Sequence, residues 1–127
     1  MAEEGTLAIN ADVVKAAGVN VSATSIAEAY TNVYIKEAEG YLCLATRYDW
    51  VTNIASVSTI GKEILRDAVA SYAAIKAINY DMSGFSSRQE ALMRVNILWA
   101  VVMEIVRMIT KESDYKNFIL DGAGDIN

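Results

Sequence analysis

The chain contains no proline and no histidine, a single cysteine, and charged residues at only 21% of its positions. Each absence excludes something. Without proline nothing forces a helix to kink or stop, which favours long helices over a loop-rich sandwich. Without histidine the commonest general base and metal ligand are missing. One cysteine permits no internal disulfide framework and fits a reducing compartment. Cys43 stands between Leu42 and Leu44 with no histidine to activate it, so it reads as a buried structural thiol rather than a nucleophile. Eleven basic residues against sixteen acidic ones, scattered along the chain, give a net charge of −5. No basic patch is present to grip phosphates, which argues against DNA or RNA binding. The opening MAEEGTLAIN lacks the basic start and apolar core of a signal peptide, and a cytosolic product is expected.

What is present suffices for a core. Hydrophobic residues make up 54% of 127 positions, which fits one folded domain rather than a disordered tail. The pattern predicts an all-α bundle of four to five helices, three of them long. Residues 1–127 form a single helical domain, with 1–9 and 120–127 as flexible or partner-ordered termini. Asn10 is placed to cap a short helix through ADVVKAA, and Gly18 to end it in a left-handed conformation. Ser25 and Glu28 have capping-box spacing and open a helix from about Ile26 to Thr46. On it Ile26, Tyr30, Val33, Tyr34, Glu37 and Tyr41 share one face. Gly40 either weakens that helix by roughly 1 kcal/mol against alanine or lets another backbone approach.

Ser58 caps a second long helix, about Thr59 to Asn79, with Ile60, Ile64, Ala68, Tyr72 and Ile75 as its apolar stripe. Ser87 and Glu90 repeat the capping-box spacing and open a third, about Arg88 to Thr110. A short helix around Asp114 to Ile119 and a glycine-spaced tail complete the chain. Between Leu92 and Ile109 only Arg94, Asn96, Glu104 and Arg107 are polar. Asn96, Glu104 and Arg107 gather with Gln89 and Lys111 in a sector of roughly 120°, leaving about twice the apolar surface an ordinary surface helix needs. Either this helix is central to the domain or part of its apolar face meets another subunit. Glu104 and Arg107 inside it exclude a membrane span.

Catalytic constellations are missing. Glu37 and Glu39 lie two apart and point in different directions on a helix. Glu63 and Asp67 share a face, but Lys62 and Arg66 flank them, as on a solvated, salt-bridged surface. TIGKE lacks the glycine-rich loop of a phosphate cradle. The seven tyrosines and five methionines fall at helical spacing, as core residues do. No catalytic, cofactor or metal site is expected, and the chain reads as a non-enzyme.

The stretch TRYDW supports two readings. Tyr48 and Trp50 can bury their rings as a peg while Arg47 and Asp49 satisfy helix ends. Alternatively Arg47, Tyr48 and Trp50 form a docking loop, since these residue types dominate interface energy.

The helix carrying IAEAYTNVYIKEAEGYLCLATRYDW, the second like ILRDAVASYAAIKAINYDM and the hydrophobic third resemble the small head–tail connector (adaptor) proteins of tailed bacteriophages. The likeness covers roughly residues 24–110. It implies an all-α homo-oligomer whose copies, about twelve, close a ring beneath the portal protein. Such a ring sits in the virion neck, extends the viral DNA channel and presents a platform to a stopper or tail-terminator protein. DNA passes through without specific binding, and no membrane is involved; the protein is made in the host cytoplasm. The family's C-terminal grip on the portal would fall here on Tyr115, Phe118, Ile119 and Leu120, a stretch that reads otherwise as a frayed end. An alternative is a small cytosolic helical module that holds a partner helix in a groove.

Overall fold

The computed structural model describes residues 5–18, 21, 26–80, 85 and 87–111. These form four helices, α1 (Asn10–Ala17), α2 (Glu28–Thr46), α3 (Thr59–Tyr80) and α4 (Arg88–Lys111), with a 3-10 turn at Ile54–Ser56. No strand occurs among the described residues. The fold is all-α with three long helices, as the sequence predicts.

Helix ends follow local chemistry. The Ser58 hydroxyl accepts the Gly61 amide at 2.9 Å and the Ser87 hydroxyl accepts the Glu90 amide at 3.1 Å, so both serines cap as expected. Asn10 does not cap. The cap position of α1 is Ile9, whose amide donates to the Asp12 carboxylate at 3.0 Å. Asn10 is the first helical residue and spends its side-chain amide on the Ile26 carbonyl and the Thr31 hydroxyl, both at 2.8 Å. Gly18 ends α1 at φ 93°, but with ψ 178° rather than the left-handed helical value. Ser25 lies outside the described residues, and α2 begins at Glu28, two positions later than the spacing suggested.

The central helix is α3, not the last one. It packs against α1, α2 and α4, and Gly61, Leu65, Ala68, Val69, Ala70, Ser71, Ala73, Ala74, Ala77 and Ile78 are all buried on it. Alanine on several sides of one helix lets three neighbours approach its backbone. Ile60, expected in its apolar stripe, is exposed. One hydrophobic core links all four helices, with Trp50, Ile35, Leu42, Leu65 and Ile78 its largest fully buried side chains.

On α2 the buried face also differs from expectation. Thr31, Asn32, Ile35, Ala38, Glu39, Leu42 and Thr46 are buried, while Tyr30, Val33 and Glu37 are exposed and Tyr34 and Tyr41 half-buried. At 100° per residue the observed and expected faces are centred about 150° apart. Glu39 shows why. It is 5% exposed, and its carboxylate accepts the Thr6 amide at 2.7 Å and the Leu7 amide at 2.6 Å. Residues 5–9, expected to belong to a flexible or partner-ordered terminus, lie along the bundle, with Leu7 and Ala8 buried. Gly5 fits there because a Cβ would stand 2.2 Å from the Ala8 carbonyl oxygen and 2.6 Å from Ile35 Cγ2.

Candidate interaction surfaces

The TRYDW stretch is built as a closure for α2. The Tyr48 amide donates to the Cys43 carbonyl at 3.1 Å and the Arg47 amide to the Leu44 carbonyl at 3.3 Å, the paired bonds of a Schellman motif. Arg47 occupies the left-handed position at φ 59°, ψ 40°, where glycine is usual. Trp50 is 0% exposed. Its indole N–H donates to the Thr46 hydroxyl at 2.8 Å, which in turn donates to the Leu42 carbonyl at 2.7 Å. Tyr48 packs on Trp50 with ring centroids 4.5 Å apart. Asp49 folds the following turn by accepting the Thr52 amide at 2.9 Å and hydroxyl at 2.7 Å. Those hydrogen bonds, the side-chain one foremost, hold the Asp49 carboxyl below its ordinary pKa. Of the three residues proposed for docking, Trp50 has no surface to offer; Arg47 is exposed and Tyr48 half-buried.

Apolar surface remains uncovered elsewhere. On α4 the core-facing row is Ala91, Leu98, Val102, Val106 and Ile109. Two further rows are exposed. One contains Leu92, Trp99 and Met103 and lies toward α2, where Trp99 sits 6.1 Å from both Tyr41 and Tyr72. The other contains Met93, Ile97 and Met108. Helical geometry separates the rows by about 130° across the outer side of α4. Between them run Gln89, Asn96 and Arg107, all exposed. Arg107 pairs with Glu104 at 2.6 Å, and that hydrogen bond lowers the Glu104 pKa. The exposed methionines are thus not core residues, as their spacing had suggested.

A groove runs beside the second row. Its parts, about 330 and 390 Å³, share Arg94 and Ile97; Met93 and Phe85 line one end and Val101 the other. Arg94 reaches across to α1 and donates from Nη2 to the Ala16 carbonyl at 2.5 Å, a cation at a helix C-terminus. Its Nε is buried without a hydrogen-bond partner. The sequence carried a sign of this role, since Arg94 falls outside the polar sector of its helix.

On α2, Val33 and Leu44 project outward, and Leu44 is 81% exposed, the highest value among the described large apolar residues. Gly40 lies between them, with no atom within 4 Å of where its Cβ would be. No backbone among the described residues approaches it. Near the same side, Tyr30 meets Tyr80 edge-on at 5.1 Å and Glu37 pairs with Lys76 at 3.5 Å.

The remaining candidates are quickly placed. Cys43 is half-buried and not disulfide-bonded. No cluster of metal-ligating residues occurs among the described residues, and no described helix is long and apolar enough to cross a membrane. Tyr115, Phe118, Ile119 and Leu120, with the short helix and tail expected around them, lie outside the described residues. No family model, curated protein or solved structure matches the chain.

Proposed function

We propose that the chain is a structural head–tail connector (adaptor) of a tailed bacteriophage, forming a homo-oligomeric ring below the portal. The ring would extend the DNA channel through the virion neck and carry a stopper or tail-terminator protein. It would act by shape and contact, without catalysis or cofactor. One observation carries this reading beyond the sequence resemblance. Helix α4 is not the centre of the domain, so its surplus apolar surface stands open on two sides. Exposed apolar area of that extent marks an interaction site. Two separated rows suit a subunit with a neighbour on each side.

Native mass spectrometry of the purified chain tests it. A closed species of about a dozen copies supports the ring, since a rotation that closes gives a finite assembly. A two-fold dimer favours instead a helical protein-binding module, the reading that the groove beside Ile97 supports. A monomer that also fails to assemble when mixed with portal protein overturns the connector reading.

Arg47 provides a second check. A side chain at φ 59° strains the backbone by about 1–2 kcal/mol, a strain glycine avoids while adding about 0.4–1 kcal/mol of unfolded-state entropy. Arg47→Gly should therefore raise the stability of the isolated chain by about 0.5–1 kcal/mol. Its keeping arginine there fits an exposed side chain used for contact, and the variant should assemble less well. Denaturant midpoints set beside oligomer mass read both effects.

A further inference from the structure

We infer that each copy seats the outer stripe of its α2, Val33–Gly40–Leu44, in the α1/α4 groove of the next copy around Ile97, a head-to-tail contact. The inference rests on the ring reading and names the two faces that meet. Gly40 is the first argument. An exposed glycine in mid-helix costs roughly 1 kcal/mol against alanine, and no described residue of its own chain requires it, since none comes within 4 Å of the space beside it. A second backbone approaching closely supplies the missing reason.

Shape is the second argument. The groove is concave and Leu44 projects from its helix, so neither face is complementary to itself, which disfavours a two-fold contact through either alone. The stripe from Val33 to Leu44 is about 16 Å long and the groove from Met93 to Val101 about 12 Å, a match to within one helical turn.

Charge is the third. Around the stripe stand three bases, Lys36, Arg47 and Lys76, with two acids, Glu37 and Asp49. Along the groove stand three acids, Asp12, Asp67 and Glu90, with two bases, Lys15 and Arg94. The surplus is positive on one face and negative on the other, which fixes orientation as well as partner.

Engineered thiols test the assignment. In a Cys43→Ser background, Leu44→Cys and Ile97→Cys are introduced singly and together, both at exposed positions, and the proteins are oxidised mildly at high concentration. The double variant should give a ladder of covalent multimers, and equal amounts of the two single variants a mixed dimer. Homodimers of the Leu44→Cys variant alone would show a two-fold contact and overturn the proposal. Non-covalent oligomers by native mass spectrometry without any 44–97 disulfide would overturn it and leave the ring standing. A chain that stays monomeric at every concentration, and also when mixed with portal protein, would remove both.

Gly40→Leu is the companion variant. The helix tolerates leucine better than glycine, so thermal stability should hold or rise while the oligomer is lost. Oligomers at wild-type abundance in that variant would overturn the inference.

Discussion

Replacing Trp50 with alanine should destabilise the chain by about 3–5 kcal/mol, the usual range for emptying a buried aromatic site. Against the roughly 5–15 kcal/mol that keeps a domain folded, this is a large share. The ring is fully buried, and its N–H is tied to Thr46. Alanine would leave a cavity between the loop and the core and strip Tyr48 of its aromatic neighbour. Trp50→Phe separates the contributions. It keeps most of the volume but leaves Thr46 Oγ without its donor, so a loss nearer 1–2 kcal/mol is expected. Urea denaturation followed through Trp99, the second of the two tryptophans, measures both. If Trp50→Ala lost less than about 1 kcal/mol, the indole could not be what holds the loop to the bundle.

The second large effect belongs to Glu39. Hydrogen bonds to a charged group contribute about 1.5–3 kcal/mol each, and the Glu39 carboxylate receives two. Glu39→Ala need not lose the full sum, because residues 5–9 can lift away and regain water. The loss is then bounded by Leu7, whose burial is worth about 1.5–3 kcal/mol, and by the smaller Ala8. A decrease of about 2–4 kcal/mol is expected. Its location is the sharper signature. Amide exchange should speed up at Thr6 and Leu7 while the interiors of α2, α3 and α4 stay protected. Glu39→Gln keeps one carbonyl oxygen as acceptor and should lose about half as much. Uniformly faster exchange across all helices in Glu39→Ala would mean that the carboxylate supports the whole bundle rather than its first segment.

These two residues also show where the sequence was legible. The starts of α3 and α4 were, because Ser58 and Ser87 act on amides three residues away, within the reach of a local pattern. The all-α class and the three long helices followed from the missing proline and from periodicity. The inward face of α2 was not legible. Thr31, Glu39 and Thr46 lie off the face that the spacing predicts, yet each is satisfied by a group distant in sequence or supplied by a loop: Asn10, the Thr6 and Leu7 amides, and Trp50. A hydrophobicity pattern contains no information about such partners. The surplus of apolar surface on α4 was visible, but its assignment was open. Only the alanine-rich α3, buried on several sides, decides that the surplus is not consumed inside the domain. For the contact surfaces, Arg47 and Trp50 looked alike in sequence. The left-handed turn separates them, sending one side chain to solvent and the other into the core.

The alanine rows of α3 bear on how force would pass through such a subunit. Alanine has no rotamers to exchange, so the packing around Ala68, Ala73, Ala74 and Ala77 has no alternative arrangement to adopt. A larger side chain could relieve a push from one side by turning; a methyl group cannot. Pressure applied to α2 or α4 is therefore met by close-packed neighbouring backbones. The domain should then respond as a block, shifting in orientation more than it changes internally. A contact made on one flank would keep its geometry relative to the other.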